Sequence, residues 1–310
     1  MRSGFCGILL IGGFAAACVP PAASACACGC GVFEVGTSAL LPDARGTTLF
    51  MQTSYLDQSD NWSGTSGAPA ADNDDKHLRS EFYALGVQTM FNRDWGMMLE
   101  LPYTQRHFST LDDESGALVD RDHGAIGDIR VMGMYTGFSP DMSSGVSFGL
   151  KLANGDWKYG GFDRDTAIGT GSTDLLLGGY HETHLGGEDS QWSGFAQGLL
   201  DLPLHTQGDY RPGTELDAAF GAYPAGWRLG AGVTLTPLLQ ALVSVRAHDS
   251  GANADPGNSG YQRLLAAPGL ELQWRHVHVS MDVEAPIFQH VNGNQLVAPW
   301  QAKLTASIRL

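Results

Sequence analysis

A strict alternation of apolar and polar residues limits how this chain can fold, and it is cleanest at the C-terminus. In the segment "WQAKLTASIRL", residues 300–310, every second residue is apolar. The residues between them are polar: Gln301, Lys303, Thr305, Ser307 and Arg309. A period of two is that of a β-strand, whose successive side chains point to opposite faces. The chain therefore ends in a strand with one apolar and one polar face.

The same alternation recurs in the interior of the chain. It is present in "WGMMLELPY" (95–103), "GDIRVMGMY" (127–135), "GVSFGLKLA" (145–153) and "HVHVSMDVEA" (276–285). Segments of this length with a period of two indicate strands rather than helices. We therefore expect an all-β protein built from many amphipathic strands.

The connections between these segments alternate in length. Short ones are "NRDW", "SPDM" and the bend at Arg275–His276. The long ones are polar and rich in Gly, Asp and Asn, at about 59–77, 109–124, 154–172, 204–213, 249–260 and 288–298. Short turns at one end and long loops at the other are typical of an outer-membrane barrel. The pattern predicts an antiparallel transmembrane β-barrel of about 12 strands, although Pro224 and Pro237 leave the tight turn within 214–248 unplaced.

A soluble β-sandwich would show the same periodicity, with its apolar face in the core and its polar face in water. Three features favour the barrel: aromatic residues at strand ends, the rhythm of the loops and an export signal. The terminal strand agrees with this, because a barrel must pair its last strand with its first to leave no edge in lipid. We expect the strands to span the outer membrane.

The N-terminus has the pattern of a signal peptide. Arg2 precedes the apolar stretch "GILLIGGFAAACV", which is too short to span a bilayer, and Ala23-Ser24-Ala25 fits a small-x-small cleavage site. The alternatives are a retained anchor or a lipoprotein signal ending at Cys18 or Cys26. The predicted organisation is a signal peptide at 1–25, a Cys-rich periplasmic lead-in at 26–43 and the barrel at 44–310.

The formal net charge of -15 argues against a nucleic-acid partner, because phosphate binding needs a basic face. Outer-membrane lipid is the expected surrounding. A periplasmic protein partner is a further hypothesis, based on the cysteines that follow the signal.

Three cysteines, Cys26, Cys28 and Cys30, alternate in "CACGCG". Three thiolates could bind Cu(I) or another soft metal, although their spacing is not that of a zinc site. The odd number of thiols favours a disulfide to a partner, lipidation of Cys26 or a tethering role over the metal site. No other cofactor is expected.

The polar faces of the predicted strands supply a charged interior. They could form a neutralised network that holds the wall together, or line a pore and set its charge preference. The predicted lumen-lining residues are Glu100, Asp128, Arg130, Lys151, Glu271, His278, Asp282, Glu284, Lys303 and Arg309.

The remaining motifs carry little chemistry. Carboxylates cluster in the long loops, for example at Asp72, Asp74 and Asp75. Because they lack the spacing of a calcium loop, we expect them to be solvated rather than to bind Ca²⁺ or Mg²⁺. "GTGST" (169–173) lacks the Lys of a phosphate loop, and no Ser, His and Asp have the order of a catalytic triad. We therefore expect no enzymatic activity.

Several motifs resemble a known family of exported barrels. They include "CGCGVFEVGTS", "NWSGTSGAPA", "GDIRVMGMYTGFSPDMSSGVSFGLKL", "DRDTAIGTGSTDLLLGG", "DYRPGTELDAA", "HDSGANA" and "QHVNGNQLVAP". In this order they are similar to the outer-membrane barrel family of Gram-negative bacteria named for the phenol meta-degradation (MetA) pathway. The resemblance implies an outer-membrane barrel with a suggested transport role, and it carries no established catalytic residues.

Two functions follow from these patterns. The first is a channel or transporter for small solutes, with the polar strand faces along its path. The second is a barrel without transport activity, whose periplasmic Cys cluster binds a soft metal or a partner protein.

Overall fold

The prediction of an antiparallel β-barrel is confirmed by a computed structural model that describes residues 35–36, 40–112, 115–187 and 190–310. The last strand pairs with the first in an antiparallel register that joins Thr48 to Arg309 and Leu56 to Gln301. This pairing closes the sheet, so the amphipathic terminal strand leaves no unpaired edge in the wall.

Within the described residues the chain forms sixteen strands. They are β1 (Gly46–Gln58), β2 (Asp60–Gly64), β3 (Ser66–Gly67), β4 (Asp75–Met90), β5 (Trp95–Leu111), β6 (Leu118–Ile126), β7 (Arg130–Tyr135), β8 (Ser144–Lys151), β9 (Ser172–His184), β10 (Trp192–Thr206), β11 (Glu215–Pro224), β12 (Trp227–Gly230), β13 (Val233–Arg246), β14 (Tyr261–Trp274), β15 (Val277–Val297) and β16 (Gln301–Arg309). Two single turns of 3-10 helix lie at Ala70–Asp72 and Pro256–Asn258.

Twelve of these strands, all within the described ranges, form the closed wall. Their order around the barrel is β1, β4, β5, β7, β8, β9, β10, β11, β13, β14, β15, β16 and back to β1. The remaining four extend hairpins beyond the wall: β2 pairs with β15, β3 with β2, β6 with β5, and β12 with β13. In the part of the chain described here, no helix has the length and apolarity to cross a membrane.

The outward face of the wall is apolar and ends in aromatic residues at both rims. Alternate residues of β5, from Trp95 to Tyr103, are each at least 40% exposed. The Trp95 and Tyr135 rings lie 4.8 Å apart at the rim of short turns, and the Tyr55 and Trp300 rings stack 5.6 Å apart at the other rim. Large apolar side chains would not face water in such numbers, whereas an apolar band between two aromatic girdles fits a bilayer. The strands therefore span the outer membrane.

The structure also places the turns. Short connections follow β4, β7 and β14, as predicted, and they share one end of the barrel with Gly46 and Leu310. Outer-membrane barrels carry short turns on the periplasmic side, so we call this the periplasmic end and the opposite one the outer end. The uncertain region 214–248 contains β11, a short hairpin strand and β13. Pro237 lies on β13 between the residues that pair with β12 and with β11.

The predicted long loops 59–77, 109–124 and 288–298 are in large part strands. β15 continues to Val297 because β2 pairs with its outer half, and β5 and β6 form a hairpin through much of 109–124. These strands project beyond the bilayer, where both faces can be polar. The apolar alternation that identifies the wall strands is therefore missing from them.

Candidate permeation path

The barrel encloses a cavity of about 280 Å³ that opens to solvent. Its described lining comes from eight consecutive strands of the wall, β1, β4, β5 and β7–β11, from Arg246 of β13, and from segments outside the wall strands, within 40–42, 127–128, 164–170 and 210–213. Apolar side chains line it beside the charged ones, among them Phe50, Phe82, Met132 and Met134. A chamber of this size inside a closed wall is the candidate path for a solute.

A band of charged side chains crosses five strands at one height of this cavity. Glu100 of β5 lies opposite Arg130 of β7 in the register. Arg130 in turn lies opposite Lys151 of β8, and Lys151 lies opposite Asp174 of β9. The Glu100–Arg130 ion pair is 2.9 Å long. Lys151 Nζ lies 2.5 Å from Asp174 and 2.6 Å from Asp201 of β10. Direct cross-strand neighbours interact most strongly, so the register itself assembles this band.

Asp128 has a different environment from the other predicted lining residues. It lies just before β7, and its carboxylate accepts hydrogen bonds from the backbone N–H of Gly155 (2.8 Å), and from the N–H (2.7 Å) and hydroxyl (2.6 Å) of Thr170. Both partners belong to the connection 152–171 between β8 and β9. Asp128 therefore holds this connection, called here the inward loop, against the barrel.

The inward loop forms the outer boundary of the cavity. Arg106 of β5 donates hydrogen bonds to the carbonyl oxygens of Thr166 and Ala167. Residues 164, 165 and 167–170 of this loop contribute to the lining. The loop therefore narrows the outer mouth instead of projecting into solvent.

A cation between two aromatic rings also lies at the outer end of the cavity. The guanidinium of Arg164 lies 4.9 Å from the centre of the Trp157 ring and 4.4 Å from that of Tyr210. The Tyr210 hydroxyl donates a 2.7 Å hydrogen bond to Asp249. Burial lowers the pKa of Arg164 and raises the pKa of Tyr210 well above its usual value. At neutral pH the arrangement is therefore a charged guanidinium between two neutral rings, a favourable cation–π geometry.

The other predicted lining residues lie away from this cavity. Asp282 and Glu284 of β15 and Lys303 of β16 are buried on strands that do not line the cavity, and Lys303 Nζ is 3.5 Å from Glu284. Arg309 pairs with Asp43 at the periplasmic end. Glu271 and His278 are partly buried on β14 and β15. Of the ten predicted residues, the structure brings Glu100, Asp128, Arg130 and Lys151 to the cavity.

Several lining residues were not predicted from the sequence. They are Arg106, Arg164, Asp174, Asp201, Tyr210, Glu215, Asp217 and Arg246. Periodicity could have identified some of them: Gln197, Leu199 and Asp201 occupy alternate positions on β10, as Glu215 and Asp217 do on β11. No period could have identified Arg164 or Tyr210, because they lie on loops that fold inward.

The proposed soft-metal ligands Cys26, Cys28 and Cys30 lie outside the described residues, and so does the predicted signal peptide. That metal site stays a prediction. Within the described ranges, no group of three or more His, Cys, Asp and Glu side chains is placed to hold a metal ion.

Comparison with known proteins identifies the fold. No protein-family model matches the sequence, and no curated protein matches it. An outer membrane channel from Pseudomonas putida F1 is similar in structure, with a TM-score of 0.64 and 11% identity over 89% of this chain and 100% of that one. The beta domain of the Bordetella autotransporter Brka is also similar, with a TM-score of 0.51 and 13% identity over 86% of this chain and 100% of its own. At such identities the likeness concerns the fold, and that fold is an outer-membrane β-barrel.

Proposed function

We propose that this protein is a channel or transporter that carries small solutes across the outer membrane. The observation that supports this most directly is the cavity of about 280 Å³ beside the band of Glu100, Arg130, Lys151, Asp174 and Asp201. A barrel with a purely structural interior has its lumen filled by side chains, whereas this one keeps space next to charged groups. The similarity in fold to a protein described as an outer membrane channel agrees with this function.

The finer family assignment belongs to the same proposal. The motifs that resemble the phenol meta-degradation barrel family extend over nearly the whole chain after the predicted signal. We place the protein in that family as a hypothesis. No observation favours the alternative of a barrel without transport activity.

The charges along the path lead us to expect a preference for cations. The described cavity lining contains seven carboxylates and five Lys or Arg side chains, a formal excess of two negative charges. Charged side chains that line a pore set its ion preference. The excess is small, so the preference should be modest and should respond to single charge changes.

The experiment is a measurement of ion current through the purified protein in planar bilayers, with a KCl gradient across the membrane. The wild type should conduct, and its reversal potential should indicate a cation preference. Asp201→Asn should weaken that preference and Lys151→Met should strengthen it, because both residues belong to the charged band. The exposed loop residue Ala117, changed to Asp, is the control for added charge away from the path. Absence of conductance from correctly folded protein, or identical selectivity in all four proteins, would contradict the proposal.

A further inference from the structure

Carboxylates from three neighbouring strands meet on one side of the cavity. They belong to Asp174 of β9, Asp201 of β10, and Glu215 and Asp217 of β11. Asp201 lies opposite Glu215 in the register, and Asp217 is the next residue of β11 on the same face. Like charges directly opposite each other destabilise a sheet. This side of the cavity therefore needs positive charge.

The cations that line the cavity leave part of this negative charge uncompensated. Lys151 is shared between Asp174 and Asp201, with Nζ–oxygen distances of 2.5 and 2.6 Å. The carboxylate of Glu215 accepts hydrogen bonds from neutral hydroxyl groups instead. In the described part of the chain, no Lys or Arg forms an ion pair with Asp217.

Two carboxylate oxygens have no donor. Asp217 is 9% exposed, and its Oδ1 has no hydrogen-bond partner among the described residues. Ser244, opposite it in the register, has one hydroxyl proton and donates it to Glu215 at 3.2 Å. Oδ1 of Asp201 is likewise without a partner there, while its Oδ2 binds Lys151.

A buried acceptor without a donor costs free energy, and a buried charge costs more. The two oxygens belong to diagonal neighbours on adjacent strands, which are close enough for both carboxylates to contact one group between them. Both residues line the cavity. The pair Asp201 and Asp217 therefore offers a place to a cationic donor that enters from the path.

Apolar side chains lie beside this place. The register row that starts at Asp217 continues through Leu199 of β10 to Ser147 of β8 and Met134 of β7, and all four residues line the cavity. Within the described ranges, no three His, Cys, Asp or Glu side chains are placed to hold a metal ion. An ammonium group with three N–H donors and an apolar body fits these surroundings better than a metal ion does.

We propose that Asp217 and Asp201 bind the ammonium group of a small organic amine, whose apolar part packs on Leu199 and Met134. This inference rests on the proposed channel function and deepens it, because it names a class of solute for the path. The cavity of about 280 Å³ is close to the ~300 Å³ lower limit of small-molecule sites, so the amine must be small.

The test is isothermal titration calorimetry of the purified protein in detergent, with protein-free micelles as the background. The probes are phenethylamine, phenethyl alcohol, which has nearly the same shape without the charge, and methylammonium, which has the charge without the apolar body. Asp217→Asn removes the charge at constant shape. Asp72→Asn makes the same change in the exposed turn Ala70–Asp72 and is the matched control. A heat-dependent gel shift checks that each barrel has folded.

We expect the wild type and Asp72→Asn to bind phenethylamine about tenfold more tightly than either of the other probes, because hydrogen bonds to a charged group are the strong ones. Asp217→Asn should bind the amine and the alcohol equally. The inference is overturned if the wild type does not prefer the amine to the alcohol, or if folded Asp217→Asn keeps that preference. Equal binding of methylammonium and phenethylamine would overturn the role of the apolar side chains.

Binding in detergent does not require an open path, so the two proposals can fail separately. Preference for the amine in a protein that carries no current in planar bilayers would support the binding site and contradict the channel. Current without any preference for the amine would overturn the binding site alone.

Discussion

Nζ of Lys303, on the strand that closes the barrel, donates a buried 2.8 Å hydrogen bond to the carbonyl oxygen of Val35, 268 residues earlier in the sequence. The same ammonium group lies 3.5 Å from the carboxylate of Glu284, which is 1% exposed. One lysine therefore neutralises a buried carboxylate of the wall and binds the backbone of Val35, which precedes the first strand.

Lys303→Met should destabilise the barrel by on the order of 3 kcal/mol, because it leaves the buried charge of Glu284 without its cation. Adding Glu284→Gln should recover most of this loss, since the uncompensated charge is then removed. Urea unfolding of the protein in lipid, followed by Trp fluorescence, gives both free energies. A double variant no more stable than Lys303→Met would show that the ion pair is not the source of the effect.

Met281 tests the assignment of the outward face. It is 53% exposed and lies between its register partners Leu270 on β14 and Leu304 on β16, which are also exposed. Met281→Arg should cost about 2–4 kcal/mol of unfolding free energy if this row faces the middle of the bilayer. Ala117→Arg, on an exposed outer loop, should leave stability within about 0.5 kcal/mol of the wild type. Equal costs at the two positions would mean that this face does not contact lipid.

Asp128 tests the attachment of the inward loop. Asp128→Ala removes the acceptor of three hydrogen bonds from Gly155 and Thr170 and should free the loop from the barrel mouth. In detergent solution, trypsin should then cleave faster after Lys158, which is exposed on this loop, while cleavage after Arg275, exposed in the periplasmic turn between β14 and β15, stays unchanged. Asp128→Asn keeps one acceptor oxygen and should give an intermediate rate. Unchanged cleavage after Lys158 in Asp128→Ala would show that other contacts hold the loop.

Asp141, in the periplasmic turn after β7, gives a pH-dependent prediction. Hydrogen bonds from the side chain and the backbone N–H of Ser143 lower the pKa of this carboxyl to about 2. Because the folded pKa lies below the unfolded value of about 3.9, the stabilisation is complete above about pH 4 and is lost as the pH falls toward 2. Ser143→Ala should raise the pKa of Asp141 toward its ordinary value. A carboxyl-carbon NMR titration measures it, and an unchanged pKa in that variant would contradict the assigned cause.

The wall could be predicted from the sequence because each strand shows its alternation in its own residues. A strand that faces lipid on one side and the lumen on the other must alternate, and segments such as 95–103 and 300–310 show this directly. The rhythm of short and long connections then gave the number of strands.

The path could not be predicted in full, because it depends on contacts between distant parts of the chain. Register decides that Lys151 meets both Asp174 and Asp201, and no single strand shows this. Arg164 and Tyr210 belong to loops whose polar composition does not distinguish folding inward from projecting outward. For the same reason the lead-in gave no sign that Val35 packs inside the barrel.

The most direct test of the central claim is ion current through a barrel with one thiol placed in the path. Gln52→Cys, on the cavity lining, is made in a chain in which Cys26, Cys28 and Cys30 are Ser, and Ala117→Cys on the exposed outer loop is the control. A bulky methanethiosulfonate reagent should reduce the current through Gln52→Cys and leave that through Ala117→Cys unchanged. Current that persists undiminished through fully modified Gln52→Cys would contradict a path along this cavity.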